Sequence, residues 1–248
     1  MLKTERKIMY KKDITLSGEW EYNWGGVPWH FASFKDVLGC VKTLVNNGVD
    51  VNMRDNEDKT PLMYAAQYNH KKAMKRLIEA GADVDLTDMD EKTALMYAAQ
   101  GGHTGPVLQL LNVFADKDKQ DCCGNTALIY AVQCENADNI DVSLTLLRAY
   151  ADVNIQNVYG STALMYAVEK QNINLVKELI KAGAYLNAID CNGENALTRA
   201  IACENKEITQ ELLNAGASMP KSLGNRKICS KNLPFCLTTG LSSKERVS

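Results

Sequence analysis

Three histidines and eight cysteines are the side chains in this 248-residue sequence whose types suit metal or nucleophile chemistry. Either chemistry needs convergence: a nucleophile beside its base, or a ligand set around one ion. The cysteines have the sharpest spacing. Eleven residues separate Cys122 from Cys134, eleven more separate Cys191 from Cys203, and Cys123 adds a thiol to the first group. Structural zinc takes four ligands, and no histidine falls near that group. The remaining cysteines are scattered, which points to reduced thiols rather than a disulfide framework. His30 stands apart, and His70 and His103 lie 33 residues from each other. "GGVP" at 25–28 and "GGHTG" at 101–105 lack the order and the Lys of phosphate loops, and no nucleophile motif or helix-borne His pair is present. The sequence therefore reads as non-enzymatic, with no metal, no cofactor and no catalytic residue.

The spacing of the histidines belongs to a longer pattern. "TPLMYAAQ" begins at Thr60, "TALMYAAQ" at Thr93, "TALIYAVQ" at Thr126 and "TALMYAVE" at Thr162, at intervals of 33, 33 and 36 residues. Weaker members extend the frame to "VPWHFASF" at Val27 and "NALTRAIA" at Asn195. A second register follows each apolar segment: "NNGVDVN" at 46–52, "EAGADVD" at 79–85, "AYADVNI" at 149–155 and "KAGAYLN" at 181–187. Each unit reads as a short helix, a turn, a second helix, then a break and an extended connection.

The residues of one unit explain this reading. The Thr hydroxyl caps free amides at the start of the first helix, and Pro61 takes a helical position whose amide has no partner. Leu62, Ala65 and Ala66 face a neighbour, while Leu77 and Ile78 point inward from the second helix. Gly81 ends that helix in the left-handed conformation. A single unit cannot bury both of its helix faces, whereas a stack can. The Met of each Met–Tyr pair then packs between repeats, and equivalent placement predicts the same turn-stabilising bond for His70 and His103.

"TPLMYAA", "TALMYAA", "VPWHFAS", "GGH" at 101–103 and "AGADV" at 80–84 resemble the ankyrin repeat motifs over about residues 25–218. The resemblance implies an all-α repeat solenoid of about six stacked helix-turn-helix units with β-hairpin connections. The units start near residues 25, 58, 91, 124, 160 and 193, the last running to 218. Residues 1–24, with Trp20, Tyr22 and Trp24, form an irregular cap or tail, and 219–248 a basic tail. In the last unit Thr198 and Arg199 replace the Met–Tyr pair; an arginine is costly against another helix pair, so the stack is expected to end there with a polar side. Phe114 and Tyr150 stand where Gly81 and Gly183 end their helices, and a bulky residue held left-handed costs about 1–2 kcal/mol. Those two breaks are expected to be remodelled. Three extra residues around "ENADNI" at 135–140 fall in a turn.

The family resemblance further implies protein binding in a concave groove of inner helices and connection tips. Its tip residues here are Arg54, Glu57, Lys59, Met89, Asp90, Lys92, Val158 and Tyr159; its helix residues are Phe34, Gln67, Tyr68, Gln100, Gln133, Glu169 and Lys170. Asn52, Asn154 and Asn187 match the asparagine that hydroxylases modify in some family members. Charge is uneven. Residues 219–248 hold six Lys or Arg against one acid and residues 1–24 five against four; a total of −2 leaves −8 on 25–218. That acidic body opposes the alternative of polyanion or nucleic-acid binding through the tail with Lys35, Lys59, Lys92 and Lys170. A second alternative is a regulatory fragment of a larger enzyme. No apolar run is long enough to span a bilayer and no secretory signal is evident. The expectation is a monomeric cytoplasmic or nuclear adaptor, scaffold or stoichiometric inhibitor.

Overall fold

The computed structural model describes residues 50–134 and 140–220, with positions 46 and 48. Ten helices occupy this span: α1 (Pro61–Gln67), α2 (Lys71–Glu79), α3 (Ala94–Gln100), α4 (Thr104–Leu111), α5 (Ala127–Gln133), α6 (Ile140–Arg148), α7 (Ala163–Glu169), α8 (Ile173–Lys181), α9 (Ala196–Ala202) and α10 (Lys206–Asn214). Each odd-numbered helix packs on the even-numbered one that follows it, and each row packs along its own length. The result is two layers, an inner row of seven-residue helices and an outer row of eight- and nine-residue ones.

The caps explain why such short helices hold. Thr60, Thr93, Thr126 and Thr162 each accept the amide three residues on through Oγ1, and Asn195 does so through Oδ1. Packing does the rest, because isolated seven-residue helices are marginal in water. Leu77, Leu110, Leu146, Leu179 and Leu212, one per outer helix, are each 0% exposed; burying each stabilises by about 1.5–3 kcal/mol. Met63, Met96, Ile129 and Met165 are buried in the same core, so their place is packing between units.

Three expectations are corrected. Among the described residues there is no strand, so the connections are not β-hairpins. Successive tips share single backbone bonds: Met89 N–H to Glu57 O (3.1 Å), Cys122 N–H to Asp90 O (2.9 Å), Val158 N–H to Cys123 O (2.9 Å) and Cys191 N–H to Tyr159 O (2.9 Å). A ladder needs repeated exchange. Here other tip amides turn inward to a carboxylate or carboxamide instead: Asp55 Oδ1 accepts from the amides of Glu57 and Lys59, each at 2.8 Å.

Nor are the breaks at Phe114 and Tyr150 remodelled. Their φ angles are 62° and 59°, in the left-handed region of Gly81 and Gly183. Phe114 N–H reaches Leu111 O and Ala115 N–H reaches Leu110 O, as Gly81 and Ala82 reach Ile78 and Leu77. The C-terminal helix cap is kept and the side-chain strain is accepted, at about 1–2 kcal/mol per site.

Finally, Arg199 is not the polar outer side of a last unit. It is 9% exposed and sits among acids. Residues 1–45, 135–139 and 221–248 lie outside the described residues, and with them the N-terminal cap, most of the expected first unit at 25–57, most of the three-residue insertion and the basic tail.

Candidate partner-binding face

One acidic or amide side chain organises each tip. Asp55, Asp88, Asp121, Asn157 and Asp190 are all 8% exposed or less. Each uses Oδ1 to accept amides two and four residues on. The second oxygen looks into the stack. Asp55, Asp88 and Asp121 accept the phenols of Tyr64 (2.7 Å), Tyr97 (2.5 Å) and Tyr130 (2.5 Å) through Oδ2. In the next unit the direction reverses, and Asn157 Nδ2 donates to Tyr166 Oη at 2.9 Å. In the last, Arg199 takes the tyrosine's place and donates to Asp190 Oδ2 at 2.5 Å. The signal lies in the sequence, since every Tyr and Arg199 follows its hub by nine residues, whereas the repeat motif assigned packing to the Met of each pair and no partner to the Tyr.

The lysines bind into this frame. Lys59 Nζ lies 5.8 and 5.5 Å from the ring centroids of Tyr64 and Tyr97; Lys92 Nζ lies 5.8 and 5.2 Å from those of Tyr97 and Tyr130. Cations so placed are held by the ring quadrupoles, and Lys59 also pairs with Glu57 at 2.7 Å.

Burial first, then the hydrogen bond and negative charge of the partner aspartate, hold the Tyr64, Tyr97 and Tyr130 phenols well above the usual tyrosine range. The neutral phenol is thus favoured by folding. Its contribution is intact below the unfolded value of about pH 10 and falls as pH rises past it, because the unfolded chain releases protons the folded one keeps. We expect urea stability to drop steeply above about pH 10, and the drop to be shallower in Tyr97→Phe/Tyr130→Phe. Equal slopes would break the link between these phenols and alkaline unfolding.

The candidate groove residues fall in two rows. Gln67, Gln100, Gln133 and Glu169 end successive inner helices, with Tyr68 and Lys170 one residue beyond α1 and α7. Arg54, Glu57, Met89, Asp90, Val158 and Tyr159 lie along the tips that the single backbone bonds join. Tyr68, Val158 and Tyr159 are 42–43% exposed and Met89 69%. Lys59 and Lys92 are half-buried between rings, Glu169 is ion-paired with Arg199, and Phe34 lies outside the described residues.

His103 Nε2 is 3.0 Å from Gln67 O and so joins successive units rather than its own turn. The equivalent partner of His70, residue 34, is outside the described residues. Asn52, Asn154 and Asn187 use Oδ1 to accept the amides of Asp83, Tyr185 and Ser218 in the next unit; Asp85 and Asp118 do the same at that register. Cys122 and Cys123 place their Sγ atoms 4.0 Å apart. Among the described residues no three His, Cys, Asp or Glu side chains are grouped to hold a metal ion, and no helix is long and apolar enough to cross a membrane.

A search of curated proteins finds no match to the chain. The family of Ankyrin repeats (3 copies) matches three times, over residues 7–88, 85–157 and 139–222. Paired helices capped by Thr and stacked at a 33-residue period, together with those matches, place this chain in the ankyrin-repeat family of non-catalytic protein-interaction modules.

Proposed function

We propose that the face made by the tips and the ends of the inner helices binds a partner protein, and that the chain acts as an adaptor, scaffold or stoichiometric inhibitor. The observation that carries this reading is the set of exposed apolar side chains: Met89, Val158 and Tyr159 along the cross-linked tips, with Tyr68 at the end of α1. Aromatic side chains dominate interface hot spots, and a frame fixed before binding loses little freedom on association. Polar Gln67, Gln100 and Gln133 at matching positions supply orienting bonds. Enclosure of Lys59 and Lys92 between tyrosine rings disfavours the polyanion alternative, which needs free cations. A monomer in the cytoplasm or nucleus fits this role, as does hydroxylation at Asn52, Asn154 or Asn187.

The test is a pull-down from the source cell with the full chain and with Tyr68→Ala/Tyr159→Ala, both checked for folding by circular dichroism. A partner held by the wild type through moderate salt, and weakened roughly thirtyfold in the variant, is the expected result; ~2 kcal/mol at a hot spot gives that factor. Equal capture by both proteins would move the site elsewhere.

A further inference from the structure

The outer row differs from the inner one in a way that protein binding on the inner face does not use. Outer helices of a repeat stack face water and carry charge on that side. Helices α2, α8 and α10 do so, with sequences "KKAMKRLIE", "INLVKELIK" and "KEITQELLN". Helix α4, "TGPVLQLL", has no charged residue at all. Its Leu108 is 45% exposed. The same register holds Lys75 in the preceding unit, and Leu144 then Lys177 in the two that follow. Just past α4 and α6 stand Phe114 and Tyr150, 92% and 89% exposed. Glycine occupies that register in the units on either side, at Gly81, Gly183 and Gly216.

Two neighbouring units therefore accept backbone strain to hold an aromatic side chain in water, where glycine would serve the helix end without strain. Strain of this kind, kept where the fold gains nothing from it, is a mark of function. Large exposed apolar groups sharing a face mark an interaction surface.

An open groove of about 670 Å³ between α6 and α8 continues the patch, lined by Ile140, Leu144 and Leu147 with the polar Arg148, Asn174, Lys177, Glu178 and Lys181. Lys181 pairs with Glu178 at 2.7 Å and Lys177 with Glu207 at 3.9 Å, which leaves Arg148 as the groove cation with no such pair among the described residues. Tyr150 stands two residues beyond Arg148, at the end of α6. Charge identifies the occupant. The five outer helices together hold eight Lys or Arg against five Asp or Glu, a net of +3 on a body whose total over 25–218 is −8. A basic outer row around an apolar centre suits a ligand that is acidic and apolar at once.

We propose that the outer face of the two central units, centred on Phe114 and Tyr150, is a second docking surface, for an acidic segment of a partner protein that carries apolar side chains. Those side chains fill the α6–α8 groove and cover the two aromatic rings, while the segment's carboxylates meet Arg148 and exchange with Glu178 and Glu207 as partners of the exposed Lys181 and Lys177.

The probe is a fluorescein-labelled amphipathic peptide of leucine and glutamate, with its leucine and lysine counterpart as control, titrated against the full chain by fluorescence anisotropy. The acidic peptide is expected to bind and the basic one not to. Phe114→Gly/Tyr150→Gly is expected to weaken binding at least tenfold while melting roughly 5 °C higher than the wild type. Arg148→Glu/Lys181→Glu should weaken it similarly, and Tyr68→Ala/Tyr159→Ala should leave it unchanged, which separates this surface from the inner face. Any of four outcomes overturns the proposal: no binding of the acidic peptide; equal binding of both peptides; binding indifferent to the glycine variant; or binding lost in Tyr68→Ala/Tyr159→Ala. Capture by phosphatidylserine-rich vesicles, lost in the glycine variant, would reassign the face to a membrane. Self-association lost in that variant would reassign it to a second copy of the chain, and either result replaces the proposal.

Discussion

Arg199→Ala is expected to destabilise the C-terminal end of the stack by about 3–5 kcal/mol, the cost of removing one partner from a buried ion pair. The guanidinium donates to Asp190 Oδ2 at 2.5 Å and Ser161 Oγ at 2.9 Å, and pairs with Glu169. Asp190 keeps the amides of Asn192 and Glu194 on its other oxygen, so the inward oxygen is the one stranded. Arg199→Tyr should restore most of the loss, leaving about 1 kcal/mol, because tyrosine at this register meets the hub aspartate in three earlier units. Stability in a repeat stack is a sum of local and nearest-neighbour contributions. Hydrogen exchange in Arg199→Ala should therefore accelerate in α9 and α10 and stay unchanged in α1–α4. Wild-type protection throughout, or no advantage of Tyr over Ala, would refute this account of the last unit.

Asp88→Ala should cost about 3 kcal/mol or more, since it strands the buried Tyr97 hydroxyl and two tip amides, each worth about 1–3 kcal/mol when left unmade. Asp88 is 6% exposed and accepts from Asp90 N–H at 3.0 Å, Lys92 N–H at 2.9 Å and Tyr97 Oη–H at 2.5 Å. The chain supplies its own control. At the same register Asn157 accepts both tip amides at 3.0 Å and turns its Nδ2 to Tyr166 Oη. Asp88→Asn should thus cost only about 1 kcal/mol, read by urea denaturation of the three proteins. Equal losses for Ala and Asn would show that the hub acts through its charge rather than its bonding geometry.

Much of the architecture was legible because it is local and repeated. A Thr before an apolar run, Pro61 at a first helical position and a leucine on each outer helix specify short capped helices that must stack, and a 33-residue period says with what. The left-handed residue at the end of each outer helix was legible as a position too. Its occupants Phe114 and Tyr150 were misjudged, because glycine preference measures the cost of a conformation and not the hydrogen bonds that enforce it.

The features that no single repeat specifies lie between units. Amides that the family resemblance assigned to hairpin ladders turn to Asp55, Asp88 and Asp121 instead, which requires each hub to be enclosed by its own turn. Lys59 and Lys92, written as open groove cations, are held by rings contributed by two successive units. Arg199, polar by type, is buried because Asp190 and Glu169 from two units converge on it. Which segments fold, and that they stack, is readable from the repeat alone, since both follow from periodic burial. Which polar side chains remain available to a partner was decided by their neighbours one repeat away, a relation set by packing distance that no single motif contains.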